Sequence, residues 1–187
     1  MASGRRTLVE TGEIDRDLAT LLAHAPCDVA VLAGGRGLAA GPIVTPFGGV
    51  EHDWSAIEIA AWLAASLGRT LRLVGTEADA ARGRRDASRL LARASLLMQQ
   101  MTGVVAEPVL APAGGEGFLG AARDAAVVVV GMSERWRSEG IGEARRVVAA
   151  GSDRPTLFVR RGVRPSGVAP GETMTRFTWT LGASRPA

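Results

Sequence analysis

Residues 126–142 read AVVVVGMSERWRSEGIG, and the run of four valines near its start decides the fold. Consecutive β-branched residues in a strand point apolar side chains to both faces, so the strand needs cover above and below. That predicts a central strand of a parallel sheet layered between helices. Function in such sheets sits at strand ends. Here Gly131 stops the strand, a polar loop follows, and Gly140 and Gly142 open a helix whose free amides suit an anion.

Outward from this strand, apolar periodicity alternates between strand and helix from residue 42 onward. Strands are predicted over 42–45, 70–74, 104–110, 126–130 and 156–160. One helix, capped by Asp53 or Ser55, runs to Leu67 and stops at Gly68; another begins at Asp86 and closes at Gly103; a short one ends at Ala125; the last spans 141–150. Five strands and four helices make one doubly wound α/β domain over 41–162.

The flanks fall outside that count. Residues 14–25 read as an amphipathic helix and 28–32 as a strand, and moving them forward by 127 residues places Ile14 on Ile141, Leu21 on Val148 and Val31 on Phe158. Residues 1–40 are therefore read as the C-terminal half of a preceding repeat plus a Gly-rich linker. A strand with no partner of its own needs a sheet edge, and 156–160 is the natural one. Residues 163–187 form an extended tail carrying Phe177 and Trp179.

Composition narrows the function. With 187 residues and 47% apolar content the chain can bury a core. No apolar run approaches the ~20 residues that span a bilayer, and the basic N-terminus lacks the apolar stretch of a secretory signal, so a cytoplasmic location is expected. Cys27 is the single cysteine, which excludes an internal disulfide. The net charge is +3 and every basic residue is arginine, with Lys, Asn and Tyr all absent, as GC-rich coding favours. Arg82, Arg84, Arg85, Arg89 and Arg93 cluster, but Asp79 and Asp86 lie among them, so the segment reads as a solvated face and no nucleic-acid partner is expected. His52, beside Glu51 and Asp53, reads as an exposed loop histidine, and no donor set converges for a metal. Ser133 has no histidine with a path to it, so no catalytic constellation emerges and the chain is not read as an enzyme.

With these elements placed, residues 42–161 resemble the universal stress protein family, whose domains share this strand-helix order and a glycine loop after the fourth strand. The stretches 46–54, 86–100, 131–140 and 175–179 are similar to the tandem stress-protein-like region that follows the membrane part of actinobacterial cation:proton antiporters. The resemblance implies a five-stranded parallel sheet of order 3-2-1-4-5, with the helix-strand half-repeat as an extra at its edge. It implies a regulatory role as the cytoplasmic part of such an antiporter, and a partner, either a second copy or another domain of the same chain, meeting the last strand. It also implies a nucleotide crevice between the ends of the first and fourth strands, with ATP, AMP or a cyclic dinucleotide as ligand. The positions so implied are Phe47, Gly48, Gly49, Gly75, Gly131, Met132, Ser133, Gly140, Gly142 and Glu143.

The chain departs from the family's phosphate loop, Gly-x2-Gly-x9-Gly-Ser/Thr. Counted from Gly131, Glu134 takes the second glycine and Ala144-Arg145 the closing pair. A carboxylate there repels phosphate unless Arg135 or Arg137 compensates. At the first strand end, Phe47 or Gly48 stands where relatives carry an aspartate. Phe47, Trp54 and Trp136 fall in the loops flanking the crevice, and the expectation is that these rings fill it, leaving a degenerate site; base stacking on them is the alternative. The Phe47–His52 segment also resembles the pyrophosphate loop of adenylating enzymes, but phenylalanine replaces the gripping hydroxyl. A free-standing ATP-binding stress protein and a ligand-free scaffold are the competing readings.

Overall fold

The structure, a computed structural model, describes residues 14–34, 37–83 and 85–169. Its elements in chain order are α1 (Arg16–His24), β1 (Val29–Ala33), β2 (Ile43–Pro46), α2 (Glu51–Leu67), β3 (Leu71–Thr76), α3 (Ser88–Thr102), β4 (Ala106–Ala111), α4 (Gly115–Ala121), β5 (Val127–Gly131), α5 (Trp136–Glu139), α6 (Glu143–Gly151) and β6 (Thr156–Arg160). A short 3-10 turn, Ala80–Arg82, interrupts the connection between β3 and α3.

The six strands form one mixed sheet in the order β1-β6-β5-β2-β3-β4. From β6 to β4 all neighbours are parallel, and β1 alone among the described strands runs antiparallel, against β6. The five parallel strands thus take the expected 3-2-1-4-5 order, and the extra strand takes the expected edge.

The valine run behaves as its chemistry requires. Every residue of β5 is buried. Val127 and Val129 join one apolar cluster, with Ile43, Leu71, Leu73 and the inner faces of α2 and α3. Val128 and Val130 join the other, with Val44, Phe118, Phe158 and residues of α1 and α6. Alternation along a strand sends successive side chains to opposite faces, so two cores form on the two sides of one sheet. Phe158, Leu22, Ile57, Met98 and Ile141 are among the side chains these cores bury completely.

Helix ends differ in detail from the sequence expectation. α2 begins at Glu51, ahead of both proposed caps. Asp53 lies inside the first turn and its carboxylate reaches back to accept from Gly48 N (2.8 Å) and Val50 N (3.4 Å). It satisfies amides that a helix start leaves open, the job of a cap done from the third helical position. Gly68 and Gly103 close α2 and α3 as predicted.

The N-terminal helix and strand have the same lengths and spacing as the last helix and strand. Adding 127 to the bounds of α1 and β1 returns the bounds of α6 and β6. Across the β1–β6 pair, Val31 faces Phe158, its counterpart under that shift, while Val29 faces Arg160 and Ala33 faces Thr156. The shift exchanges the last two pairs, so a local two-fold axis passes between Val31 and Phe158.

Beyond β6 the chain turns back along α2. Glu58, 4% exposed, accepts from Ser166 Oγ (2.6 Å) and Gly167 N (2.8 Å), and Arg164 closes on its other oxygen at 3.1 Å. Val168 is buried in the α2-side core. The start of the tail is therefore docked; Phe177 and Trp179 lie outside the described residues.

Candidate functional site

β2 leads into α2 on one face of the sheet, and β5 leads through α5 into α6 on the other. Neighbouring parallel strands whose connections depart to opposite faces leave a gap between their C-terminal ends. A cavity of about 480 Å³ occupies this position and extends over the ends of β3 and β4. Its volume lies within the roughly 300–1,000 Å³ of small-molecule sites. Pro46, Phe47 and Gly48 reach it from β2, Val74 to Thr76 from β3, and Val130 and Gly131 from β5. Leu90 of α3, Phe118 of α4 and Val148 of α6 supply apolar walls.

Two glycines allow the elements to meet there. A Cβ on Gly131 would lie 2.5 Å from the backbone oxygen of His52, so the start of α2 rests directly on the end of β5. A Cβ on Gly75 would stand 2.6 Å from that of Ala87, which brings the start of α3 against β3.

A polar chain crosses the gap. Arg145, in the first turn of α6, donates from Nε to the Gly131 carbonyl (2.6 Å), and its Nη2 lies 3.1 Å from His52 Nε2. His52 Nε2 in turn lies 3.6 Å from Asp53 Oδ1. Burial pushes the His52 imidazole below its usual 6.5, against the pull of Asp53, and Arg145 adds to the depression. Burial likewise raises the Asp53 carboxyl above 3.8, although His52 and the Gly48 and Val50 amides oppose it. The Arg145 guanidinium is desolvated too, which lowers its proton affinity. A neutral imidazole lets Nε2 accept from the arginine, and the cation then faces the cavity. Arg145 forms no ion pair among the described residues, and Asp53 and Arg145 both line the cavity. His52 is thus a half-buried partner of Arg145, not the exposed loop residue expected.

The expected aromatic plug is absent from this cavity. Phe47 lines it, but Trp54 and Trp136 do not. Trp54 packs into the α2-side core, with its ring centroid 4.8 Å from that of Phe47 in an edge-to-face contact. Trp136 sits in the opposite core. α2 and α5 carry the two rings inward, into the apolar clusters on opposite sides of the sheet.

The loop after β5 also departs from expectation. Glu134 is met neither by Arg135 nor by Arg137 but by Arg161, whose guanidinium bridges Glu134 (3.1 Å) and Glu51 (2.8 Å). Arg135 pairs with Glu139, and Arg137 lies over the Trp136 ring. Met132 is buried in the core. Ser133 turns inward on the loop, its hydroxyl accepting from Arg135 N and its carbonyl from Trp136 N. Gly140 and Gly142, both with positive φ, form the turn from α5 into α6, and Glu143 points to solvent and pairs with Arg146. Gly49 backs onto Leu90. Of the ten positions implied by the resemblance, Phe47, Gly48, Gly75 and Gly131 line the cavity and the others do not.

Sequence reading missed Arg145, Arg85 and Asp86 as cavity residues. The signal for Arg145 was present: it stands four residues after Ile141 and three before Val148, on the buried side of the last helix. Arg85 and Asp86 come from a loop whose path no periodicity predicts. Away from the cavity, His24 Nδ1 meets the Thr20 carbonyl and Cys27 is exposed. Among the described residues, no group of three or more His, Cys, Asp or Glu is placed to hold a metal, and no helix is long and apolar enough to cross a membrane.

No family model matches the sequence, and no curated protein does. Solved structures do. A universal stress protein from Archaeoglobus fulgidus superposes with a TM-score of 0.54 at 18% identity, over 65% of this chain and 94% of that one. A universal stress protein in complex with cAMP gives 0.52 at 18% identity, over 65% and 98%. A putative universal stress protein from Pseudomonas aeruginosa UCBPP-PA14 also gives 0.52 at 18% identity, but over 96% of this chain and 64% of its own length. The chain therefore has the universal stress protein fold, with one strand added.

Proposed function

We propose that this chain is a non-catalytic sensory domain that binds a nucleotide in the β2–β5 crevice and communicates occupancy to attached or partner domains. The observation that carries this reading is the open cavity at the switch point, apolar on most sides and holding the Arg145 side chain. An apolar body with a few convergent polar groups suits a base and sugar joined to an anion. The fold likeness to a stress protein in complex with cAMP supports the same ligand class. ATP, AMP and cyclic dinucleotides are the candidates, and the altered phosphate loop makes the site degenerate relative to the family pattern.

We further propose that residues 1–40 are the end of a preceding stress-protein-like repeat, supported by the shared element bounds and the local two-fold at Val31 and Phe158. Attachment to the membrane part of a cation:proton antiporter, at the cytoplasmic face, rests on the sequence stretches quoted above. Thermal shift and calorimetric titration with adenine nucleotides test the ligand. Stabilisation is expected, since a ligand that binds only the folded state raises its stability. No response at millimolar concentrations, together with no nucleotide released on denaturation, would leave the scaffold reading instead.

A further inference from the structure

We infer that the crevice selects a ligand with a single phosphate, gripped by the Arg145 side chain rather than by a glycine loop, so that nucleoside monophosphates bind in preference to triphosphates. The inference rests on the nucleotide reading above and narrows it. Three observations carry it.

The first is where the amides of the post-β5 loop are directed. Met132 N donates to Val159 O, Arg135 N to Ser133 Oγ and Trp136 N to Ser133 O. Ser138 N and Glu139 N both donate to Arg135 O, and Gly142 N to Glu139 O. These six amides are committed to β6 or to the turn around α5, which leaves fewer of the loop's donors to wrap an extended phosphate chain. Its one acidic side chain near the strand, Glu134, is tied back by Arg161 to Glu51 and does not line the cavity.

The second is the disposition of Arg145. Its Nε and Nη2 are committed to Gly131 O and His52, which fixes the plane of the guanidinium. Nη1 makes no hydrogen bond among the described residues, and the side chain lines the cavity beside Ala144 at the start of α6. A preoriented, half-buried cation beside a helix N-terminus is a strong partner for one phosphate group.

The third is charge. Four ionisable residues line the cavity, Arg85 and Arg145 against Asp53 and Asp86. Asp53 is held by the Gly48 and Val50 amides, and Asp86 by the amide and hydroxyl of Ser88, so neither is displaced by a ligand at small cost. With two cations offset by two anions the walls carry no net charge, so a triphosphate brings more unmatched negative charge than a monophosphate held at Arg145.

Calorimetry of the full chain with adenosine, AMP and ATP, repeated on Arg145→Met, tests this. AMP should bind at least about tenfold more tightly than ATP, and Arg145→Met should weaken AMP by about tenfold to a hundredfold while changing adenosine by less than about threefold, as expected for one charge-assisted contact. ATP binding as tightly as AMP overturns the inference and leaves the nucleotide reading standing, and so does an equal loss of AMP and adenosine in the variant. Failure of all three compounds to bind at millimolar concentration overturns both. The AMP-to-ATP ranking is measured on the unaltered protein, so it decides the matter even if the variant does not fold.

Discussion

Gly131 holds two elements together by having no side chain. Its Cα faces the His52 carbonyl so closely that Gly131→Ala would force the start of α2 away from β5. That displacement strains backbone, not a flexible side-chain tip, so a loss of about 1–3 kcal/mol is expected in denaturant unfolding. Nucleotide binding should weaken with it, because Arg145 takes its direction from the Gly131 carbonyl. His52 supplies a second residue-scale prediction. Its folded-state proton affinity is depressed below 6.5, so near and just below that pH the unfolded chain binds more protons than the folded one. Stability therefore rises as pH increases through this window and falls on acidification. Asp53, shifted upward from 3.8, contributes with opposite sign. Thermal unfolding of His52→Gln against the wild type isolates the imidazole; the variant should show a flatter profile around pH 6.5, and parallel profiles would remove His52 from the polar chain.

Among the elements, α2 carries the most diverse duties. Its first turn rests on β5, its inner face builds one core, and Glu58 receives the returning tail. Replacing Glu58 with Ala removes the acceptor for the Ser166 hydroxyl and the Gly167 amide in a largely buried place. The expected cost is about 1–3 kcal/mol, with faster proteolytic cleavage between residues 162 and 170 as a specific readout. The strands and long helices were legible in the sequence because burial imposes period two or 3.6 on side chains: β6 was read to the residue and α3 to within two. The tail's docking was not, because it depends on one carboxylate meeting three donors more than 100 positions away. The crevice was legible in position and not in content. Its location follows from strand order, whereas the inward turn of Trp54 and Trp136 and the reach of Arg145 depend on how neighbouring helices pack.

For the whole molecule, the antiparallel joint between β1 and β6 matters most. β1 covers an edge that would otherwise display unpaired amides and carbonyls. A chain lacking residues 1–40 should keep its helical and strand content by circular dichroism and self-associate through β6, which sedimentation velocity would show as a dimer absent from the full chain. A monomer at high concentration would mean that β6 needs no cover. The joint also has mechanical reach. Arg161 follows β6 immediately and clasps Glu51 at the start of α2 and Glu134 in the loop after β5. Any tug on the N-terminal strand is thus delivered, one residue past its neighbour, to a clip that ties the start of α2 to the loop after β5.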